Sequence, residues 1–327
     1  APKGILYTHR QLMMAIDALS AHYEEVDSIP QELRSLPCWM PLSNLFQRML
    51  NIMAIEKHFA IYYCPDPVKF VDLLPTIKPS ILVGVPRLFE KIAKGALEKL
   101  ERIPTFLRGL MIGTFVRHVV QKKLGGNVRF LATGSAKTPH YVLEFFEKIG
   151  LRLYELYGMS ENIIPMSGNN RAFYRLGSVG VPLKYNHITI CPDGEIAVDS
   201  PGVGVPFGQT GPRPQPFRTN DLGHIDKDGF LFIEGRKDSL FKTSTGLRVA
   251  PTMIEEYLSG IIGIENAVVM GAGRKLLIAV ISSALDPEVL RAEVGKVNQD
   301  LPSKYRVCGI VQTKAYFGSI PGLTTPN

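Results

Sequence analysis

Only four cysteines occur in 327 residues, and Cys38, Cys64, Cys191 and Cys308 lie far apart. No CxxC pair and no Cys/His cluster accompanies them. That excludes a disulfide framework and a zinc site, and the four read as reduced, mostly buried thiols of a cytosolic protein. Long apolar runs are missing too. The richest stretch, residues 106–120, is interrupted by Arg108 and Arg117, whereas a membrane-spanning helix needs about 20 mostly apolar residues. The opening has no basic stretch followed by an apolar core and a small-residue cleavage site, so no secretory leader is expected. Internal repeats and low-complexity tracts are absent as well, which sets aside repeat and fibrous classes.

Hydrophobic residues make up 45% of the chain and charged ones 20%. Such a chain buries a sizeable core without staples and is not disordered. Its length corresponds to roughly two domains. The formal charge is +7, and residues 87–123 hold nine Lys/Arg against three Glu. Two readings compete for that basic segment. One is attraction to nucleic acid or to an anionic membrane, which allows peripheral membrane association. The other is a solvated helix face with general affinity for anionic ligands. The second is preferred, and no nucleic-acid partner is expected, because no nucleic-acid motif accompanies the charge.

The first half alternates helix and strand signals. Thr8 with Gln11 forms a capping-box pair ahead of Leu12, Ile16 and Leu19 at helical spacing. Strands are expected at 38–42, 60–64, 80–85, 128–133 and 151–156. Helices are expected over 43–59, from Asp66-Pro67, over 86–124 and from Thr138-Pro139. Strands separated by helices imply right-handed crossovers and a parallel sheet. After about Leu176, short strands with turns at Asp193-Gly194 and Asp228-Gly229 predict hairpins and a barrel-like unit. Residues 202–216, rich in Gly and Pro, read as a mobile surface loop. From Ser239 a small α+β pattern follows, with Thr252 and Glu255 as a capping box and a helix opened by Asp286-Pro287. The expected fold class is α/β: parallel sheet layers with helices plus a small β-barrel-like unit, then a small α+β C-terminal domain. Its parts are 1–237 (α/β over 1–175, β-rich over 176–237) and 238–327, with a hinge near Asp238.

Three segments place polar residues just after a strand, where open parallel sheets bind ligands. In YELYGMSEN (154–162), Gly158 would allow a tight turn, with Ser160 and Glu161 emerging beyond it. A hydroxyl beside a carboxylate suits a phosphate and its Mg²⁺, although a capped turn has the same composition. In 217–246, Asp221 and Arg236 are an acid and a base across a hairpin. They suit ribose hydroxyls and a phosphate, or a plain surface salt bridge. In ATGSAKTP (132–139), small residues before a helix let a flat ring or an anion approach the backbone.

These segments, in this order, resemble the adenylate-forming superfamily of acyl-CoA synthetases, peptide-synthetase adenylation domains and luciferases. YGMSE is similar to the family's Tyr-Gly-x-Thr-Glu, TNDLG to Thr-Gly-Asp-x-Gly, and residues 235–255 to the segment joining its two domains. The leading PKGILYTHRQL looks like the tail of its phosphate-binding loop. WMPLSNLFQRM and IKPSILVGVPRLFEKI look most like the long-chain fatty acyl-CoA synthetase branch. The resemblance implies an AMP-forming ligase that uses ATP, Mg²⁺ and coenzyme A to activate a medium- or long-chain fatty acid through acyl-AMP, in the cytoplasm or at a membrane.

The resemblance implies roles residue by residue. Ser160 contacts phosphate and Glu161 holds Mg²⁺. Asp221 binds the ribose hydroxyls, and Arg236 the ribose or phosphate. Tyr157 stacks on adenine beside Gly158. Gly134, Ser135 and Ala136 flank adenine and the acyl channel, and Lys3 is the basic residue of the phosphate loop. Asp238 is the hinge, and Gly246 lies in the loop used for thioester formation.

The chain departs from the pattern at several points. Asn44 stands where this branch has His, Ser160 where the family has Thr, and Asn220 where it has Gly. The stretch between VPRLFEKI and LGGNVRF, residues 93–123, is shorter than is usual for this branch. The body of the phosphate loop is expected before Ala1 and a catalytic lysine after Asn327; neither Lys304 nor Lys314 matches its motif. Two alternatives remain: delivery of the acyl group to an acyl carrier protein or amine, and a non-catalytic nucleotide-binding relative.

Overall fold

The computed structural model describes residues 4–101 and 113–314. Lys3 and part of the basic segment lie outside them. Two compact units emerge: one of residues 1–138, 142–219 and 223–233, the other of 139–141, 220–222 and 234–327.

In the first unit, helix His9–His22 starts at the expected box. The Gln11 amide donates to the Thr8 hydroxyl, and the Thr8 amide donates to Gln11 Oε1 at 2.9 Å. The helix buries Ala15, Ile16, Ala18 and Leu19, one face at helical spacing. The parallel pair Ser35–Cys38 and Ala60–Tyr63 follows. The first of these strands ends at Cys38, earlier than the expected 38–42. Trp39 instead stacks on Phe70 (centroids 4.6 Å apart) and donates its indole N–H to the Val83 carbonyl. Asn44 then caps helix Leu45–Glu56, its Oδ1 accepting from the Phe46 and Gln47 amides. The expected helix start at Asp66 is corrected to Phe70, because Asp66 Oδ1 accepts from the Val68 amide and closes a turn first. The region 86–124 holds two described helices, Pro86–Glu101 and Thr114–Lys123.

The main sheet runs in the order Ile81–Gly84, Phe130–Thr133, Leu153–Met159, Asn162–Gly168, Val181–Pro182. The first three strands are parallel and the last two pairings antiparallel. Ile81–Gly84 and Phe130–Thr133 are buried along their whole length, as strands covered on both faces require. Buried Ser80 ties this sheet to the parallel pair: its amide donates to the Ser35 carbonyl, and its hydroxyl accepts from the Ser35 amide.

The β-rich part is a four-stranded sheet ordered Leu231–Arg236, Phe217–Ile225, Glu195–Asp199, His187–Ile190. The hairpin turns fall at Asp193-Gly194 and Asp228-Gly229, as the dipeptides predict. Met166, Val179, Ile188, Ile196, Val198 and Leu231 form its core. The expectation of a mobile surface loop over 202–216 is corrected at its start: Val205–Pro206 pairs antiparallel with Ile5–Leu6, so backbone hydrogen bonding holds that end of the segment.

The second unit has a three-stranded sheet, Ile264–Met270, Leu277–Ser283, Val307–Thr313, antiparallel and then parallel. The parallel pair needs a crossover, supplied by helix Pro287–Asp300, which Asp286 caps through the Glu288 amide. Ile254, Leu258, Ala279, Ile281 and Leu290 are among its core residues. The expected Thr252/Glu255 box does not form. Helix Pro251–Ser259 takes Ala250 as N-cap, and Glu255 instead accepts the Val269 amide at 2.8 Å. Burial there pushes the Glu255 carboxyl up. Among the described residues no helix is long and apolar enough to cross a membrane.

Candidate functional site

Two of the predicted segments sit at the carboxyl edge of the parallel strands. Strand Leu153–Met159 turns back at Ser160 and Glu161 and returns as Asn162–Gly168. Met159 pairs with Asn162, so the two polar residues form the turn itself. Gly158 does not make it. It lies inside the strand, where the register shifts between the Tyr157 and Met159 pairings, and its expected turn role is corrected to that of a strand irregularity. Ser160 is exposed and Glu161 half-buried.

Other segments pin the turn. The Tyr7 hydroxyl donates to the Ser160 carbonyl in a short contact. The Gly204 amide donates to the Glu161 carbonyl at 2.9 Å. Gly204 is there because nothing larger fits: a Cβ would stand 2.5 Å from both Tyr7 Cε1 and Ile5 Cγ2. Gln11 Nε2 donates to the Pro201 and Val203 carbonyls at 2.9 and 3.0 Å. Burial and the nearby Glu161 carboxylate both push the Tyr7 phenol up, so it stays a protonated donor. With the backbone on both sides held, the exposed Ser160 hydroxyl and half-buried Glu161 carboxylate could take a phosphate and its cation. Among the described residues no three His, Cys, Asp or Glu side chains gather as a protein-only metal cage. A single carboxylate fits Mg²⁺ shared with phosphates, since that ion keeps waters and uses one or two carboxylates.

The small-residue segment follows strand Phe130–Thr133. Gly134 is buried with its amide donating to the Gly84 carbonyl, while Ser135 and Ala136 are exposed. A Cβ on Gly134 would lie 3.0 Å from the Leu156 carbonyl oxygen, so the backbone of the neighbouring strand presses against this position. Ser135 has φ 71°, a left-handed conformation. Buried Glu155, on the adjacent strand, accepts the Thr138 amide at 3.4 Å and anchors the segment's end. Tyr157 is half-buried and packs against the Met166, Val179 and Ile188 cluster.

Asp221, on strand Phe217–Ile225, is buried and meets Arg236 Nη1 at 3.4 Å. Arg236 is half-exposed, and its Nε lies 3.6 Å from Asp238 Oδ1, so one guanidinium stands between two carboxylates. The structure therefore brings Asp221, Arg236 and Asp238 together. The ion pair expected across the hairpin is present. Asn220 has φ 66°, and its carbonyl accepts the Lys237 amide at 2.8 Å. Its left-handed backbone accounts for the residue change: Asn is among the few non-glycine residues that adopt that region readily. Gly246, φ 82°, closes a turn through its amide to the Thr243 carbonyl.

Sequence reasoning missed Tyr7, Gly204 and Glu155. Tyr7 bonds Ser160 across 153 residues, and Gly204 bonds Glu161 from a separate segment, which no local pattern announces. Glu155 carried one available signal, a carboxylate within an apolar strand.

Residues 1–211 match the family described as AMP-binding enzyme. The chain is 29% identical over 323 residues to the long-chain-fatty-acid–CoA ligase FadD15 of Mycobacterium bovis, covering 88% of this chain and 52% of that protein. It is 25% identical over 344 residues to the peroxisomal long chain acyl-CoA synthetase 6 of Arabidopsis thaliana, covering 89% and 47%. The chain thus spans about half the length of these relatives. Among solved structures, it resembles the A domain of carboxylic acid reductase from Segniliparus rugosus, in complex with AMP and a co-purified carboxylic acid. The TM-score is 0.75 at 20% identity, covering 95% of this chain and 54% of that one. o-Succinylbenzoate CoA synthetase from Bacillus subtilis, in complex with its acyl-adenylate, gives 0.73 at 18% identity, covering 96% and 63%.

Proposed function

Because the chain belongs to the AMP-binding enzyme family, we propose that it forms part of an ATP-dependent carboxylate–CoA ligase acting on a fatty acid. In the first step a carboxylate oxygen attacks the α-phosphorus of ATP, and pyrophosphate leaves with the electron pair of the broken P–O bond. In the second, the CoA thiolate attacks the acyl carbonyl and AMP leaves. The observation that carries the reading is the pinned Ser160–Glu161 turn at the carboxyl edge of the sheet.

The chain's own work is positioning and charge stabilisation. The Ser160 hydroxyl donates to a phosphate oxygen. Glu161 would hold Mg²⁺, which when bound would supply positive charge to offset that developing on the phosphates. Asp221 accepts hydrogen bonds from the ribose hydroxyls, with Arg236 at the ribose or phosphate. Tyr157 and residues 134–136 border the adenine and the acyl channel. The domain boundary at Asp238, with that residue as hinge, belongs to the same proposal. So does Gly246 in the thioester-forming loop. The names of the FadD15 and Arabidopsis relatives support both the fatty acid and CoA.

The test is acid-dependent ATP–pyrophosphate exchange by the full-length protein across a panel of carboxylic acids. Exchange with fatty acids is expected, reduced about 100-fold or more by Glu161→Gln, the scale of losing one preorganised electrostatic group. No exchange with any acid would overturn the reading.

A further inference from the structure

An open cavity of about 700 Å³ lies at the amino edge of the main sheet, in the size range of small-molecule sites. Helix Thr114–Lys123, the end of helix His140–Lys148 and the residues leading into strands Phe130–Thr133 and Leu153–Met159 supply its walls. It is distinct from the candidate site described above. Strand Leu153–Met159 separates Arg152, at the cavity, from Ser160 by eight residues, about 25 Å at about 3.3 Å per residue. Arg117, Arg129 and Arg152 line the cavity against one carboxylate, Glu147, which leaves the lining at +2. Arg152 is committed: its Nε lies 3.7 Å from Glu147 Oε1, and its guanidinium stands 4.9 Å over the Tyr174 ring. Arg117 and Arg129 are exposed and have no carboxylate partner among the described residues. Gly150 makes room for the first. It has φ 68°, and a Cβ there would stand 3.0 Å from Arg117 Nη1.

Guanidiniums stay charged at any working pH, and their N–H forks match phosphate oxygens. A phosphomonoester carries about −1.5 to −2 at neutral pH, which balances the lining, whereas a phosphodiester lipid headgroup carries less. Gln121 lies one helical turn from Arg117, and Glu147 is half-buried; together they offer donors and acceptors to hydroxyl groups. We propose that this cavity binds a small soluble phosphomonoester, its phosphate held by Arg117 and Arg129 and its hydroxyls by Gln121 and Glu147.

Isothermal titration calorimetry on the full-length protein tests this with glucose 6-phosphate, glucose and phosphatidylglycerol vesicles as probes. Glucose 6-phosphate should bind with a Kd of about 1 mM or tighter, and glucose should not bind. Arg117→Met and Arg129→Met should each weaken the sugar phosphate about tenfold, the scale of one lost charge-assisted hydrogen bond. The matching Lys variants should recover part of that loss. Both side chains are exposed, so every variant should keep the parent's urea midpoint. No binding of glucose 6-phosphate by the parent would leave the arginines as partners of the nearby helix ends and overturn the proposal. Equal affinity in parent and Met variants would overturn it too, as would a loss that tracks a lowered midpoint. Vesicle binding without glucose 6-phosphate binding would put a membrane headgroup in its place, against the proposal.

Discussion

Gly204→Ala tests whether the Tyr7 ring and the segment at Gly204 form one packed clamp. Gly204 does not need a left-handed backbone, so alanine brings no conformational penalty there and its effect is steric. The new methyl would stand 2.5 Å from Tyr7 Cε1 and 2.5 Å from Ile5 Cγ2, so the ring must move. Overpacking of this kind costs about 1–3 kcal/mol. Displacing the ring also breaks the hydrogen bond from the Tyr7 hydroxyl to the Ser160 carbonyl, worth about 0.5–1.5 kcal/mol net. The exposure of Ser160 favours the lower figure, since water can replace the phenol.

Tyr7→Ala removes the ring altogether. In that background Gly204→Ala loses two of its three nearest clashes, both with the Tyr7 ring, so its cost should shrink. The double-mutant cycle should show a favourable coupling of about 1 kcal/mol or more. Urea denaturation followed through the fluorescence of Trp39, the single tryptophan, measures each corner. Costs that add within about 0.5 kcal/mol would refute the clamp.

Two further predictions concern stability. Burial holds the His22 imidazole below its usual pKa, although its contact with the Gly168 carbonyl at 2.9 Å opposes the shift. The folded state thus disfavours the proton that the unfolded chain accepts near pH 6.5. The contribution of this group should be full above that value and fall as the pH drops through the folded pKa; a His22→Gln variant should show a shallower decline below about pH 6.5. Equal slopes in parent and variant would contradict the assignment. At φ 66°, Asn220→Ala should cost about 1 kcal/mol while Asn220→Gly stays within about 0.5 kcal/mol, both read by the same denaturation. An alanine variant as stable as the glycine one would count against a left-handed backbone there.

Much of the fold was legible because its signals are local. The Thr8/Gln11 box, the Asp193-Gly194 and Asp228-Gly229 turns and the Asp286 cap formed as read. The failures were cases where a long-range partner, or a competing local one, took the group that the local rule needed. Glu255 was taken by the Val269 amide, and Asp66 spent its side chain on a turn instead of a helix. At the site, the motif residues stood out by type and spacing, whereas their supports did not. Nothing around Tyr7 or Gly204 hints that these residues meet at the Ser160–Glu161 turn, because the contact exists only after the sheet has formed.

That late contact has a consequence for synthesis on the ribosome. The strand pairing at Ile5–Leu6 waits for Val205–Pro206, and the Gln11 amide waits for Pro201 and Val203. Residues 5–11 therefore remain without these partners until about two hundred more have emerged. Vectorial folding can complete the helices and parallel strands that precede residue 160 in order, but the Ser160–Glu161 turn is pinned only once residues 201–206 have emerged. A nascent chain arrested before residue 200 would thus present the motif on an unfastened hairpin, with Tyr7 and Gln11 open to chaperones.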